Sequence, residues 1–167
     1  MTLNRLLAEL AISSNITGSS PIDLHIEDFY KDAAKGLLAL YQSFPRKATL
    51  YVEDLIGREE PDQFGLPSVR HQSCFSALLW LAEEDYLRYT TNLVYDALDQ
   101  AILTEKAFLR LSASHAHLLK EAEALPPSVR RQRSTLAQHL RDALAESDSE
   151  RVVLLTRLLL RPANKTT

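Results

Sequence analysis

The sequence predicts a mainly α-helical chain with one small antiparallel β unit. Apolar residues recur at helical spacing through most of its 167 residues. The rhythm breaks at two β-prone stretches, "RKATLYVEDLIG" and "YLRYTTNLVYDALDQAIL". Glycine occurs only 4 times, which argues against long irregular loops. This is the length of a single domain with helical appendages, long enough to bury one real core.

Taken in order, Leu3, Leu6, Leu7 and Leu10 predict a short amphipathic helix, followed by the linker "SSNITGSSP". Ser20-Pro21 with Asp23 marks a helix start: a cap, a proline at the first position and an acid three residues after the cap. Ile26, Phe29, Tyr30, Ala33, Leu37, Leu40, Tyr41 and Phe44 continue one long core helix up to Pro45. "RKATLYVEDLIG" then reads as a short strand and a helical turn stopped by Gly57, and "REEPDQFGLP" as a loop. Residues 68–85 form the next helix. "YLRYTTNLVYDALDQAIL" reads as two strands around a turn, without the Asn-Gly or Asp-Gly pair of a tight hairpin. Thr104 caps a helix carrying Phe108, Leu111, Leu118 and Leu119, which Pro126-Pro127 ends. Two more helices follow, "SVRRQRSTLAQHLRDALAE" and "SDSERVVLLTRLLLR", the second opening with a capping box of Ser147 and Glu150. The expected organisation is an N-terminal helix and linker over 1–19, a central domain over 20–125 and a C-terminal helical extension over 126–167.

Hydrophobic residues make up 46% and charged residues 25%, ordinary for a soluble globular protein. No stretch approaches the roughly 20 apolar residues of a spanning helix, so no membrane role is expected. Glu9 interrupts the N-terminal apolar run, which argues against a signal peptide. Cys74 is the single cysteine, giving no disulfide and a cytoplasmic default. The net charge of -3 hides an asymmetry: residues 126–167 carry 8 basic and 4 acidic side chains, while the remainder is acidic. That body repels a polyanion on average.

The order helix, short strand, short helix, loop, longer helix, two strands, helix resembles the winged helix-turn-helix superfamily, as found in bacterial regulators. "TLYVEDLIG", "SVRHQSCFSALLWLAEEDYLRY" and "DQAILTEKAFLRL" carry the likeness, over roughly residues 20–120. It implies a mainly α fold with a small antiparallel β wing, a winged helix-turn-helix core with N- and C-terminal helical extensions. It also implies a job without catalysis: double-stranded DNA binding in transcription regulation, or protein–protein interaction as an adaptor subunit resembling the acidic winged-helix partners of chromosome-organising ATPases. Both readings stay open, because the fold does not settle the function.

On a helical wheel, residues 68–85 place His71, Cys74, Phe75, Leu78, Leu81 and Ala82 on one arc. The other arc holds Val69, Gln72, Ser73, Ser76, Trp80 and Glu83, with Arg70 on its flank. Under the DNA reading Arg70, Gln72, Ser73 and Ser76 contact the duplex, helped by Arg88 at the wing and by Arg130, Arg131 and Arg133. Trp80 on a polar arc suggests cover by protein, either the N-terminal helix or a partner. In "ERVVLLTRLLLR" only Arg151, Thr156 and Arg157 are left for water, so the helix needs cover on several sides. Two covers are open, the chain's own helices at Leu3 to Leu10 and Val129 to Leu144 or the same helix of a second chain; two-fold pairing is favoured, which makes Val152, Leu155, Leu158 and Leu159, together with Trp80, the expected interface of a homodimer.

No catalytic, metal or cofactor site is expected. His115 and His117, two apart on a helix, point to different faces, and His71 with Cys74 lacks a third ligand. Cys74 lies on the core arc, away from any role as a nucleophile. Glu59-Glu60 sits in a polar loop, and no glycine-rich phosphate loop is present.

Overall fold

The computed structural model describes residues 23–119 and 124–162, which are mainly helical with a four-stranded antiparallel sheet. The elements are α1 (Leu24–Ser43), β1 (Ala48–Tyr51), α2 (Val52–Ile56), α3 (Val69–Glu83), β2 (Leu87–Arg88), β3 (Thr91–Leu93) and β4 (Ala97–Leu103), then α4 (Glu105–Ser112), α5 (Pro127–Arg133), α6 (Leu136–Ala145) and α7 (Ser149–Leu160). A 3-10 turn covers Ala116–Leu118. The helix expected at residues 3–10, and its linker, lie outside the described residues.

The long helix α1 is the element around which the rest packs. It buries Ala33, Ala34, Leu37, Leu38 and Leu40, and α3, α6 and α7 all lie against it. Gly36 is buried where α3 crosses: a Cβ there would come within 2.8 Å of Leu78 Cδ2, so only glycine permits this approach without a shift. In the sheet, β4 is central, with β1 on one side and β2 and β3 on the other. Leu50 stands opposite Leu98, and Leu87 opposite Leu103. Between Ala48 and Leu50 the register slips by one residue on β4, and Gln100, with φ 55°, takes up the extra position as a bulge.

The end of α3 explains how "LAEEDYL" leaves a helix. Asp85 adopts a left-handed φ of 62°, the Tyr86 amide donates to the Leu81 carbonyl (2.8 Å) and the Asp85 amide to Ala82 (3.1 Å). These are the two bonds of a Schellman ending, with aspartate where glycine is usual. Tyr86 turns inward and is buried. Three exposed acids at a helix C-terminus are unfavourable against its dipole, and Lys106 offsets this by donating to the Glu84 carbonyl at 2.6 Å.

Several expectations need correction. The segment read as two strands around a turn forms three short strands, and the turn between β3 and β4 is made by Val94, Tyr95 and Asp96. Tyr95 takes the positive φ (65°) that glycine would supply, its ring packing on Phe75 and its carbonyl accepting from His71 Nε2. The helix after Thr104 stops at Ser112 because Ala113 is extended and Ser114 bridges to Thr135. His115 and His117 are thus off the helix, and their rings approach to 5.7 Å. Ser147 does not cap α7: it is the left-handed residue (φ 55°) of a second Schellman ending, on α6, and Asp148 caps α7 by accepting from the Arg151 amide at 3.0 Å.

The largest correction concerns the C-terminal helices. Leu136, Ala137, Leu140, Ala143, Val152, Leu155 and Leu159 belong to the same hydrophobic cluster as α1, α3 and the sheet, so α6 and α7 complete the core rather than extend it. Thr156 does not face water; it is fully buried and its hydroxyl donates to the Val152 carbonyl at 2.7 Å.

At this junction His139 is 1% exposed, its Nε2 donating to the His115 carbonyl at 3.2 Å. Burial, followed for His115 by the neighbouring His117 and His139, lowers the pKa of both histidines below the ordinary imidazole value; for His139 the hydrogen bond to the His115 carbonyl and the nearby Asp142 work against burial, and Arg151 works with it. The unfolded chain therefore binds protons more readily than the folded one. This stability is fully present above about pH 6.5 and is lost as pH falls through the depressed folded values. Urea denaturation at pH 7 and pH 5 should show a lower midpoint at pH 5. His139→Gln, which keeps an N–H donor but does not titrate, should narrow the difference, and an unchanged difference would remove His139 as its source.

Candidate interaction surface between α1 and α3

α3 presents its outer arc beside the N-terminal half of α1, and the two helices enclose an open groove of about 640 Å³. Ile26 and Phe29 of α1 and Val69, Ala77 and Trp80 of α3 give it an apolar lining, with His25, Gln72, Ser73 and Ser76 as polar members. Much of that apolar surface faces solvent: Val69 is 80% exposed, Ile26 41% and Trp80 38%. Trp80 stands edge-on to Phe29 with ring centroids 5.2 Å apart, so α1 covers one side of the indole. The inner arc is as the wheel places it, with Cys74, Phe75, Leu78 and Leu81 buried.

Arg70 has a different environment from the one a DNA contact requires. Its two terminal nitrogens donate to the two carboxylate oxygens of Asp32, both at 2.6 Å, and its Nε lies 3.8 Å from Asp28. The hydrogen bond to Asp32 raises the Arg70 pKa against the opposing effect of burial. Asp32 is only 1% exposed, so this is a half-buried, two-pronged ion pair tying α3 to α1. Gln72 donates its side-chain amide to the Pro67 carbonyl and Ser76 its hydroxyl to the Gln72 carbonyl, both at 2.8 Å. Ser73 is exposed on the groove.

The other residues named from the sequence lie elsewhere. Arg88 is exposed on β2. Arg130 folds back to donate to the Leu125 carbonyl at 3.1 Å, while Arg131 and Arg133 are exposed on α5, which packs on α6 and the 3-10 turn. None of these four lines the groove. Of the expected interface, Val152, Leu155 and Leu159 are buried by the chain's own helices and are not available as an intermolecular surface; Leu158 is half-buried. Burial pushes the Cys74 thiol up to about 12, with the Asp32 carboxylate adding to the effect. Among the described residues no three His, Cys, Asp or Glu side chains gather as a metal site, and no helix is long and apolar enough to cross a membrane.

Sequence reasoning missed the α1 side of this surface. A signal for it exists: Asp28, Asp32 and Gly36 are spaced by four, so two acids and the close-approach glycine share one face of a core helix. No protein-family model, curated protein or solved structure matches the chain.

Arg70→Ala leaves Asp32 buried without its partner and should destabilise the fold by about 3–5 kcal/mol. The paired replacement Arg70→Met with Asp32→Leu should recover most of that loss, because it removes both charges together. Denaturant midpoints decide it; a single variant as stable as the parent would show that the pair does not hold the helices.

Proposed function

We propose that this chain is a non-catalytic protein-interaction module of winged-helix type, and that a partner protein docks in the groove between α1 and α3. The winged-helix reading is supported by the element order α1, β1, α2, α3, β2 to β4 and by a returning strand, β4, at the centre of the sheet. The choice of protein over DNA is carried by one observation. Arg70 is the only Lys or Arg on α3, and Asp32 and Asp28 already engage it.

Duplex binding depends on cations that neutralise phosphates, with base readers placed by those contacts. Here the neighbouring charges are of the wrong sign: Asp28 lies beside Arg70, and Glu83, Glu84 and Asp85 are exposed at the end of α3. An exposed aromatic, an exposed valine and an isoleucine around a shallow groove suit burial by an apolar partner surface instead. The alternative of DNA binding rests on the exposed Arg88, Arg131 and Arg133, which lie off this face.

A photo-crosslinker placed at Ser73 should capture a defined partner in the native host. The adduct should disappear with Ile26→Asp or Ser76→Arg, variants on exposed positions that retain the fold, and survive Arg131→Ala. Tight, steeply salt-dependent binding to duplex DNA, weakened by Gln72→Ala and Ser73→Ala, would overturn the proposal in favour of DNA reading.

A further inference from the structure

The α1/α3 groove does not end at Val69. It continues into a second hollow of about 360 Å³, and His25, Phe29, Val69 and Ser73 line both. The character of the wall changes across that junction. On the Trp80 side it is mainly apolar; on the far side it holds Asp28, Asp32 and Arg70, so two carboxylates face one guanidinium. Asp32 takes both terminal nitrogens of Arg70 at 2.6 Å, whereas Asp28 meets only its Nε, at 3.8 Å, beyond hydrogen-bond distance. The Asp28 side chain is 42% exposed, and among the described residues no Lys or Arg other than Arg70 lines either hollow. One negative charge thus stands uncompensated at the end of an exposed apolar surface. Glu83, exposed on the same arc of α3 beyond Trp80, gives the opposite end the same sign.

We propose, building on the reading of this groove as a docking surface, that its occupant is a basic amphipathic helix of a partner protein, with apolar anchors against Trp80 and a Lys or Arg paired with Asp28. The walls dictate the helix. They are themselves helices, whose mid-helix backbone groups are already paired, so the groove offers no strand edge and an occupant must satisfy its own backbone. Charge dictates the sign. A cation at Asp28 completes a cluster of two acids and two bases, while an acidic segment is repelled at both ends of the groove. Spacing follows from α3. Arg70 and Trp80 stand ten residues apart, about 15 Å of helix. A partner helix lying along α3 therefore carries its apolar pair, at i and i+3 or i+4, two to three turns away from its cation. The apolar pair meets Ile26, Phe29 and Trp80 and supplies affinity, and the cation sets register and direction.

A phage-displayed library of random peptides of about 16 residues, long enough for roughly four helical turns, selected on the immobilised full chain, supplies the probe. Trp80 is the only tryptophan, so a blue shift of intrinsic emission identifies peptides that enter the groove, and Ile26→Asp should abolish their binding. Their consensus should show the apolar pair with Lys or Arg two to three turns away. In the tightest of them, replacing that cation by glutamine should weaken binding to the parent chain about five- to tenfold and leave binding to Asp28→Asn unchanged. Asp28→Asn keeps the Arg70–Asp32 pair and should retain the parent's unfolding midpoint. Groove binders with no preference for a cation, or a glutamine penalty equally large on Asp28→Asn, would overturn the basic helix and leave the docking surface standing. A library that yields no groove binder overturns it as well, and the crosslinker at Ser73 then separates the two readings: a captured partner keeps the docking surface, and no adduct removes both. Blue-shifted Trp80 emission that appears on concentrating the chain alone assigns the groove to a second copy and overturns the proposal.

Discussion

Asp32 sits at 1% exposure in the middle of α1, and a carboxylate at that depth persists only with a partner of opposite charge. Arg70 supplies it through two parallel hydrogen bonds, and this fixes both the rotation and the sliding of α3 against α1. Four residues further along α1, Gly36 removes the side chain that would otherwise hold the helices apart, letting Leu78 close over the core. The outward arc of α3 is then turned beside the start of α1, where Trp80 leans on Phe29. One electrostatic contact thus sets the helix crossing and shapes the groove, and it takes α3's single cation away from the surface.

A second set of contacts closes the other side of α1. α7 is apolar on nearly every face because it lies between α1 and α6, with α4 also against it. Arg110 of α4 links three parts of the molecule at once: its Nη1 donates to the Tyr86 hydroxyl at 2.8 Å and to the Leu159 carbonyl at 2.9 Å. The C-terminal end of α7 is thereby tied to the residue at which α3 gives way to the sheet. The histidine junction at His115 and His139 fastens the start of the same unit through Ser114 and Thr135.

Helices and strands were legible in the sequence wherever burial is periodic. α1, α3 and α7 follow their apolar spacing, and Ser68 and Thr104 cap the helices they precede, whereas the single helix expected over "SVRRQRSTLAQHLRDALAE" divides into α5 and α6 at Ser134 and Thr135, where Thr135 bridges to Ser114 and caps α6. Legibility failed where the backbone takes a left-handed conformation without glycine. Asp85, Tyr95, Gln100 and Ser147 all have positive φ: Asp85 and Ser147 in helix endings, Tyr95 where its carbonyl meets His71, and Gln100 where the register between β1 and β4 shifts. The end of α4 was invisible for a similar reason, since the bridge from Ser114 to Thr135 is a long-range contact. On the candidate surface, the arc of α3 could be read from its wheel, whereas the fate of Arg70 could not. A wheel assigns directions on one helix and says nothing of which carboxylate another helix brings to meet it. The all-round apolarity of α7 was likewise plain, but only the packing shows that the chain itself provides the cover.

The position of Cys74 on the inner arc of α3 gives the molecule a chemically silent background. With its side chain buried and its thiol pushed up to about 12 by that burial, Cys74 stays a protonated, shielded thiol at neutral pH. A cysteine introduced at an exposed site such as Ser73 is then the sole reactive thiol on the chain. Spin labels, fluorophores and maleimide anchors can be attached one at a time without first deleting the native residue, so distances across the helices can be measured in a protein whose core is untouched.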